Sequence, residues 1–201
     1  MNAKIDISNT ILKTDRLILR PFKISDLDDF YEYASVEGVG EMAGWLPHKN
    51  KKESEQILNL FISGKKTFAI EYNKKVIGSL GIEEYDEELI PSLKMKMGRE
   101  LGFVLSKNYW GQGLMTEAVL KVIEYCFNTL ELDFLVCSHF IDNYRSKRVQ
   151  EKCGFKYYQE IKYKTRYNVI KAAYLQILEN DKNVRKGVNE WIIYMLIPMF
   201  I

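Results

Sequence analysis

A glycine loop in the middle of the chain, Trp110-Gly111-Gln112-Gly113, has the residue types that bind an anion. An apolar run typical of a strand, residues 101–105, precedes it, and an amphipathic helix is predicted to follow from Thr116. A glycine loop at a helix N-terminus presents unpaired amides to an anion, and the helix dipole adds to the attraction. This order therefore predicts a site for a phosphate-bearing ligand.

Two common phosphate-binding motifs do not match this loop. A P-loop requires a lysine and a serine or threonine directly after the last glycine, and no lysine follows Gly113. The dinucleotide fingerprint requires a third glycine where this chain has Thr116. A Gly-x-Gly sequence is also common in plain strand-to-helix turns, so the loop alone leaves the ligand open.

The cysteines and histidines do not predict a metal site. Cys126, Cys137 and Cys153 lie too far apart for paired metal-ligand spacing, and the chain has only two histidines. An odd number of cysteines indicates reduced thiols, as in a reducing compartment. The N-terminus has no apolar run before its charges, which predicts that there is no signal peptide. We therefore expect a cytoplasmic protein.

Composition excludes several classes of protein. The 201 residues are 47% hydrophobic and 28% charged, which is typical of an ordinary globular domain. The net charge is +2, from 29 basic and 27 acidic side chains, so we expect no binding to nucleic acid. The apolar segment 191–201 is too short to span a bilayer, which predicts no membrane span.

The elements that must position the loop form an α/β (α+β) pattern with a central mixed sheet of about seven strands and about four helices. The residues alternate or cluster by hydrophobicity, and turn or capping residues separate the segments. The predicted strands are 14–22, 67–72, 76–82, 95–105, 134–140, 155–164 and 166–178, and the predicted helices begin at Ser25 and span 52–63, 116–130 and 143–152. We predict one domain, 1–180, and an apolar C-terminal extension, 181–201. The extension is expected to dock on the domain or on a partner subunit, and the second case predicts a homodimer.

Three segments, in this order, resemble the GNAT superfamily of N-acetyltransferases, and especially its ribosomal-protein N-terminal (alanine) acetyltransferase-like branch. They begin at Thr14-Asp-Arg16-Leu, at Glu100-Leu-Gly102 leading to the glycine loop, and at Asn143-Tyr-Arg-Ser146 leading to Gly154-Phe155. The resemblance covers nearly all of residues 14–178. It implies a mostly antiparallel sheet and a direct attack of a primary amine on acetyl-coenzyme A (acetyl-CoA) in a ternary complex, without a metal.

The resemblance also implies which residues bind the donor. Loop and helix amides would hold the pyrophosphate, the strand before the loop would pair its backbone with pantetheine and polarise the thioester carbonyl, and an asparagine would contact the coenzyme arm. The cofactor-binding residues implied in this way are Phe103, Val104, Leu105, Trp110, Gly111, Gln112, Gly113, Leu114, Met115, Thr116, Asn143 and Ser146.

Catalysis requires a base for the ammonium and a hydrogen-bond donor for the leaving thiolate. Glu100 is the candidate base, and the alternative is an exposed strand carboxylate paired with Arg99 or a lysine. Many relatives carry a tyrosine seven residues after the asparagine, where this chain has Gln150. Ser146 is the substitute donor that the branch suggests, although a small residue packing the helix is an equal reading. Tyr144 is a second candidate.

Four residues are predicted to line the acceptor site: Trp45, His48, Glu100 and His139. An imidazole titrates near neutrality, yet buried structural histidines are more common, and tryptophan beside proline also anchors loops. The expected acceptor is a protein N-terminus or a small-molecule amine. The sequence does not choose between them, because acceptor specificity depends on loops that vary within a fold. The alternative functions are an acyl-CoA-binding sensor or inactive relative and, from the loop alone, a nucleotide-binding protein.

Overall fold

Neighbouring strands of the sheet follow chain order except at one edge. There the last strand that the structure describes is inserted between its two predecessors, so that the second-to-last strand forms the edge. The computed structural model describes residues 1–181, and the sheet order is β1-β2-β3-β4-β5-β6-β8-β7. The strands are β1 Leu12–Lys13, β2 Ile18–Pro21, β3 Thr67–Tyr72, β4 Lys75–Glu83, β5 Gly98–Leu105, β6 Phe134–Phe140, β7 Lys156–Lys164 and β8 Ile170–Glu179. The helices are α1 Leu27–Ala34, α2 Lys51–Gly64, α3 Leu114–Asn128 and α4 Tyr144–Lys152.

The pairing of β5 with β6 is parallel and covers only three residues of each strand. Gly98, Arg99 and Glu100 face Phe134, Leu135 and Val136. All the other strand pairs are antiparallel. Beyond Glu100 the two strands separate, while β5 stays paired with β4 and β6 with β8. The sheet therefore opens into a V at its centre, and α3 and α4 follow the two arms of the V.

Alternation along the strands gives each face of the sheet its own apolar cluster. On one face, side chains such as Ile70 and Leu80 pack with Ala118 and Val122 of α3. On the other face, Ala69 and Val76 pack with the aromatic and aliphatic side chains of α1 and α2. Full burial of a large apolar side chain contributes about 1.5 to 3 kcal/mol, so these clusters stabilise the sheet between two packed layers.

The predicted fold class is confirmed, and several boundaries are corrected. The sheet has eight strands instead of about seven because the two-residue β1 is too short to show a pattern. The strand predicted over 95–105 starts at Gly98, since the residues before it form a turn in which Lys96 N donates to Leu93 O. Ser25 is not an N-cap: Lys23 holds that position, and its amide donates to Oδ2 of Asp26 at 2.8 Å. The helix expected from Thr116 begins at Leu114.

The proposed C-terminal extension lies outside the described residues, apart from Asp181. Strand β8 ends at Glu179, next to the predicted domain boundary, and Asn180 donates to the carbonyl of Leu132 at 3.0 Å. Within residues 1–181, no helix is both long and apolar enough to cross a membrane.

Candidate functional site

A cleft with a volume of about 380 Å³ lies in the opening of the V. Strand β5 forms one wall, and the end of β6 with the first turns of α4 forms the other. The glycine loop and the start of α3 close one end. The cleft brings together residues that the sequence predicted to lie at the site, among them Glu100, Phe103, Gly111, Gly113, His139 and Ser146.

The N-terminus of α3 opens onto this cleft without a side-chain cap. Its N-cap is Gly113, which has a φ of 76°, and Gly111 has a φ of 77°. Only glycine adopts this left-handed backbone readily. A Cβ at Gly111 would meet no protein atom within 4 Å, so it would project into open space. The first-turn amides of Leu114 to Thr116 therefore have no side-chain cap, and an anion site there stays a prediction.

Arg16 holds the glycine loop from outside. Its Nη1 donates to the carbonyl of Gln112 at 3.0 Å, and its Nε donates to Oε2 of Glu117 at 2.7 Å. Thr14 Oγ1 donates to the other oxygen of Glu117 at 2.5 Å. Since Glu117 belongs to the first turn of α3, these contacts fix the loop and the helix start as one unit.

The backbone of β5 alternates between the sheet and the cleft. The carbonyl of Leu101 accepts from Cys137 Sγ of β6 at 3.1 Å, whereas the Val104 carbonyl lies against Gly78 of β4. Strand alternation therefore directs the peptide groups of Phe103 into the opening. The resemblance implied that Phe103, Val104 and Leu105 all offer backbone groups to pantetheine. The carbonyl of Leu105 is not free for this, because it already accepts from Trp110 Nε1 at 2.8 Å.

Glu100 lies where the cleft meets a second cavity of about 250 Å³. Three residues line both spaces: Glu100, Ser138 and Tyr163. The rest of the second cavity is lined by residues from β6, β7, β8 and the loop after β4, among them Tyr85 and Asp86. Glu100, Ser138 and Tyr163 therefore form the border between the two cavities.

Burial raises the pKa of the Glu100 carboxyl above its usual range, and the negative charge of Glu83 raises it further. Hydrogen bonding to Ser138 acts in the opposite direction. The alternative of a carboxylate paired with Arg99 is wrong, because Arg99 donates from Nε to the Ala3 carbonyl at 2.6 Å. Among the described residues, Glu100 forms no ion pair, which leaves its carboxyl available for proton transfer.

Ser146 lies on the cleft wall and Tyr144 does not. The Tyr144 side chain is 74% exposed and lines neither cavity, so the geometry disfavours it as a donor to the thiolate. The Ser146 amide donates to Asn143 Oδ1 at 3.1 Å, which makes Asn143 the N-cap of α4. Asn143 Nδ2 donates to the Met42 carbonyl at 3.1 Å, so both ends of that side chain are engaged within the protein.

His139 also lines the cleft, from the end of β6. It is only 4% exposed, and burial lowers the pKa of its imidazole. Its Nδ1 lies 2.9 Å from Oε1 of Gln150. The prediction that His139 belongs to the substrate-lining wall is compatible with this position.

Trp45 and His48 line neither cavity. His48 is buried, with Nδ1 2.7 Å from Ser54 Oγ and the Phe30 ring 5.4 Å away, and Trp45 packs against it at 5.1 Å. Burial lowers the pKa of His48. The prediction that these two residues line the acceptor site is therefore corrected: they anchor the loop before α2, while Met42 and Ala43 of the same loop reach the cleft.

Several residues of the site were not predicted. Arg16 supports the loop, Arg145 lines the cleft, and Ser138 and Tyr163 flank Glu100. Alternation along β7 gave no signal for Tyr163, because the run of tyrosines there is typical of sheet packing. Residues 1–181 contain no group of three metal-ligating side chains close enough to hold an ion.

Comparison with known proteins gives three kinds of match. The family model described as an acetyltransferase (GNAT) domain matches residues 16–156. The uncharacterized N-acetyltransferase YoaA of Bacillus subtilis (strain 168) is 33% identical over 152 residues, which cover 72% of this chain and 82% of YoaA.

Two solved structures share the fold. The microcin C7 self-immunity acetyltransferase MccE, in complex with acetyl-CoA and AMP, has a TM-score of 0.70 at 19% identity and covers 87% of this chain and 99% of that one. The ribosomal-protein-S5-alanine acetyltransferase of Vibrio fischeri has a TM-score of 0.65 at 19% identity, covering 86% and 98%.

Proposed function

The chain belongs to the GNAT family of acetyltransferases, and from this premise we propose that Glu100 and Ser146 carry the chemistry of an acetyl-CoA-dependent N-acetyltransferase. A primary amine enters from the second cavity and attacks the thioester in the cleft, in a ternary complex. The observation that carries the proposal is the position of Glu100, on the border between a cleft with an uncapped helix N-terminus and a separate cavity.

The cleft suits acetyl-CoA, which supplies the activated acetyl group. The amides of Leu114 to Thr116 would hold the pyrophosphate, helped by the dipole of the 15-residue helix α3. Peptide groups of Phe103 would bond to the pantetheine arm or to the thioester oxygen, as an oxyanion site. Cationic side chains of Arg145, Arg148 and Lys152 line the same cleft and would face the phosphates.

Glu100 acts as the base on the acceptor side. It takes a proton from the ammonium, directly or through a water, so that the amine nitrogen can bond to the acetyl carbon. The carbon–sulfur bond then breaks, and the thiolate leaves and takes up the second proton that the acetylated nitrogen loses. Ser146 Oγ donates a hydrogen bond to that sulfur, which stabilises the negative charge without requiring a strong acid.

The acceptor is either a protein N-terminus or a small-molecule amine. A second cavity of about 250 Å³ has room for a short terminus or for a compact amine. Its wall carries Asp86 and Glu100 but also Lys162 and Lys164, so the charge of the lining does not select between these two acceptors. The structural likeness to a ribosomal-protein-S5-alanine acetyltransferase supports a peptide arm in any acceptor screen.

Two further proposals concern the setting of the enzyme. All three cysteines are free and buried, which supports a reducing compartment such as the cytoplasm. A homodimer through the apolar segment 191–201 is tested by sedimentation of the full chain and of a chain ending at Asn180. If both chains sediment in the same oligomeric state, that dimer is excluded.

A competing function is an acyl-CoA sensor, and Gln150 at the position of the relatives' tyrosine is the observation that favours it. Calorimetry with acetyl-CoA, NAD and ATP first tests the donor. A thiol-release assay over a panel of amines and N-terminal peptides then tests turnover, with Glu100→Gln as the matched variant. Coenzyme binding without turnover on any acceptor would support the sensor, and tighter binding of ATP or NAD would exclude both functions.

A further inference from the structure

A single buried amide, that of Gln150, joins two walls of the donor cleft. Gln150 lies on α4 and is completely buried. Its Nε2 lies 3.1 Å from Ser146 Oγ and 3.3 Å from the Ser138 carbonyl oxygen, and its Oε1 lies 2.9 Å from Nδ1 of His139. Ser146 and His139 both line the cleft, from α4 and β6.

The backbone decides which way round this amide lies. The Ser138 carbonyl can only accept a hydrogen bond, so the NH₂ end of Gln150 must face it. The carbonyl end then faces His139, and Nδ1 must carry a hydrogen to donate to it. The amide of Gln176 is 3.5 Å from the same Nδ1, which is too long to compete with the contact at 2.9 Å.

This bond determines the tautomer of His139. A neutral imidazole carries one ring hydrogen, so protonation of Nδ1 leaves Nε2 with a lone pair. That Nε2 is buried and has no hydrogen-bond partner in the described part of the chain. Burial lowers the pKa of His139, and this supports the neutral form.

The same amide orients Ser146. Because Gln150 Nε2 is a donor, Ser146 Oγ accepts from it with one lone pair, and the Ser146 hydroxyl hydrogen is left for another acceptor. The hydroxyl lies on the cleft wall. A hydrogen that pointed at Gln150 would instead be unavailable to the cleft.

We propose that Gln150 is a positioning residue that holds His139 as the Nδ1–H tautomer and keeps the Ser146 hydroxyl hydrogen free for an acceptor in the cleft. The Ser146 half rests on the proposed function, because the acceptor there is the sulfur of acetyl-CoA. The His139 half does not. In this chain Gln150 therefore replaces the relatives' tyrosine by aiming other groups rather than by donating a proton.

The His139 half is tested without any ligand. Full-length protein labelled with ¹⁵N in its two histidines is studied by two-bond ¹H–¹⁵N spectroscopy at about pH 8, above the unperturbed histidine pKa. His139→Asn assigns the signals. We expect His139 to carry its hydrogen on Nδ1, to retain it in Gln150→Glu, which keeps an acceptor, and to move it to Nε2 in Gln150→Met.

Protonation of Nε2 in the wild-type protein, or an unchanged tautomer in Gln150→Met, would overturn this half. The wild-type spectrum decides even if the methionine variant does not fold. Failure of every amine as an acceptor would sink the proposed function and leave this result standing.

The Ser146 half is tested by a double-mutant cycle on turnover. Gln150→Met is expected to lower kcat by about 10- to 100-fold, as for other misplaced groups, with the KM for acetyl-CoA unchanged. Ser146→Ala in that background should cause no further loss, because both changes remove the same oriented hydroxyl. If the two losses multiply instead, Gln150 does not act through Ser146.

Discussion

The guanidinium of Arg145 lies over the indole of Trp110, with 4.5 Å between its central carbon and the ring. Trp110 belongs to the loop that follows β5, and Arg145 to the first turn of α4, which follows β6. A hydrogen bond fixes the position of the indole, since its Nε1 donates to Leu105 O at 2.8 Å. This contact therefore bridges the open end of the V, above the donor cleft.

Loss of this bridge should weaken donor binding. Arg145→Ala removes both this cation–π contact, which contributes about 0.5 to 2 kcal/mol, and a cation that would face the phosphates, so we expect it to raise the Kd for acetyl-CoA at least about 2-fold by calorimetry. Arg145→Lys keeps the charge but lacks the planar stack and should fall between the two. Lys147→Ala removes an exposed cation of the same helix that lines neither cavity and should bind normally. Wild-type affinity in Arg145→Ala would contradict the bridge.

The conformation of Gly113 predicts a second binding defect. At a φ of 76°, an alanine costs about 1 to 2 kcal/mol in strain, and relaxation of the loop would turn the α3 amides away from the cleft. We expect Gly113→Ala to weaken acetyl-CoA binding at least 10-fold in the same assay. Gly64→Ala is the control, because Gly64 ends α2 in an ordinary helical conformation and a Cβ there meets only the Lys66 side chain at 3.9 Å. Equal affinities for the two variants would contradict the binding of the pyrophosphate by the α3 amides.

The environment of Glu100 predicts the acid limb of the pH profile. A base must be deprotonated, and burial raises the pKa of Glu100, so kcat/KM should fall as pH drops through that raised value. Glu83, the cross-strand partner of Glu100, raises the pKa further. Glu83→Gln should therefore move the limb to lower pH.

The matched variant is Glu100→Gln, which should lose this limb and about 10²- to 10⁴-fold in kcat/KM while it binds acetyl-CoA normally. Profiles of all three proteins are measured with one amine, so that the titration of the amine is common to them. An acid limb that persists unchanged in Glu100→Gln would assign it to another group.

Local sequence patterns predicted the parts of the molecule that local forces determine. The bounds of β3 and β6 match the predicted 67–72 and 134–140, because each is a mostly buried run that ends at turn residues. The glycine loop was found for the same reason. The start of α3 was placed two residues late, because its N-cap is Gly113, which has no side chain to mark the helix start.

The rest of the site depends on sheet order, which no short motif encodes. Ser138 lies on β6, just beyond the three residues that pair with β5, and so it lines the cavities beside Glu100. Tyr163 lines them from β7, which is at the far edge of the sheet. His48 illustrates the opposite error: a polar residue in a variable loop is typical of a binding site, but the packing of α1 places Phe30 against its ring.

The corrected position of His48 is itself testable. Since His48 bonds to Ser54 Oγ at 2.7 Å inside the second apolar layer, we expect His48→Gln to lower stability by about 1 kcal/mol. The KM for every accepted amine should stay within twofold of wild type, because His48 lines neither cavity. His139→Gln, on the cleft wall, is the contrasting variant. A change in KM confined to His48→Gln would restore it to the acceptor site.

The ion pairs of Arg20 predict the largest loss of stability. Arg20 forms two hydrogen bonds with Asp26, at 2.8 and 2.9 Å, and its Nε donates to Glu71 at 2.7 Å. The three side chains are 7% to 18% exposed, so removal of the cation leaves two poorly solvated carboxylates next to each other.

Breaking such a buried pair costs about 3 to 5 kcal/mol, and we expect Arg20→Met to lose free energy of unfolding in that range by urea denaturation at neutral pH. Lys75→Met removes an exposed cation paired with Glu32 and should leave the denaturation midpoint nearly unchanged. A loss for Arg20→Met no larger than that for Lys75→Met would show that the network does not stabilise the junction of β2 with α1.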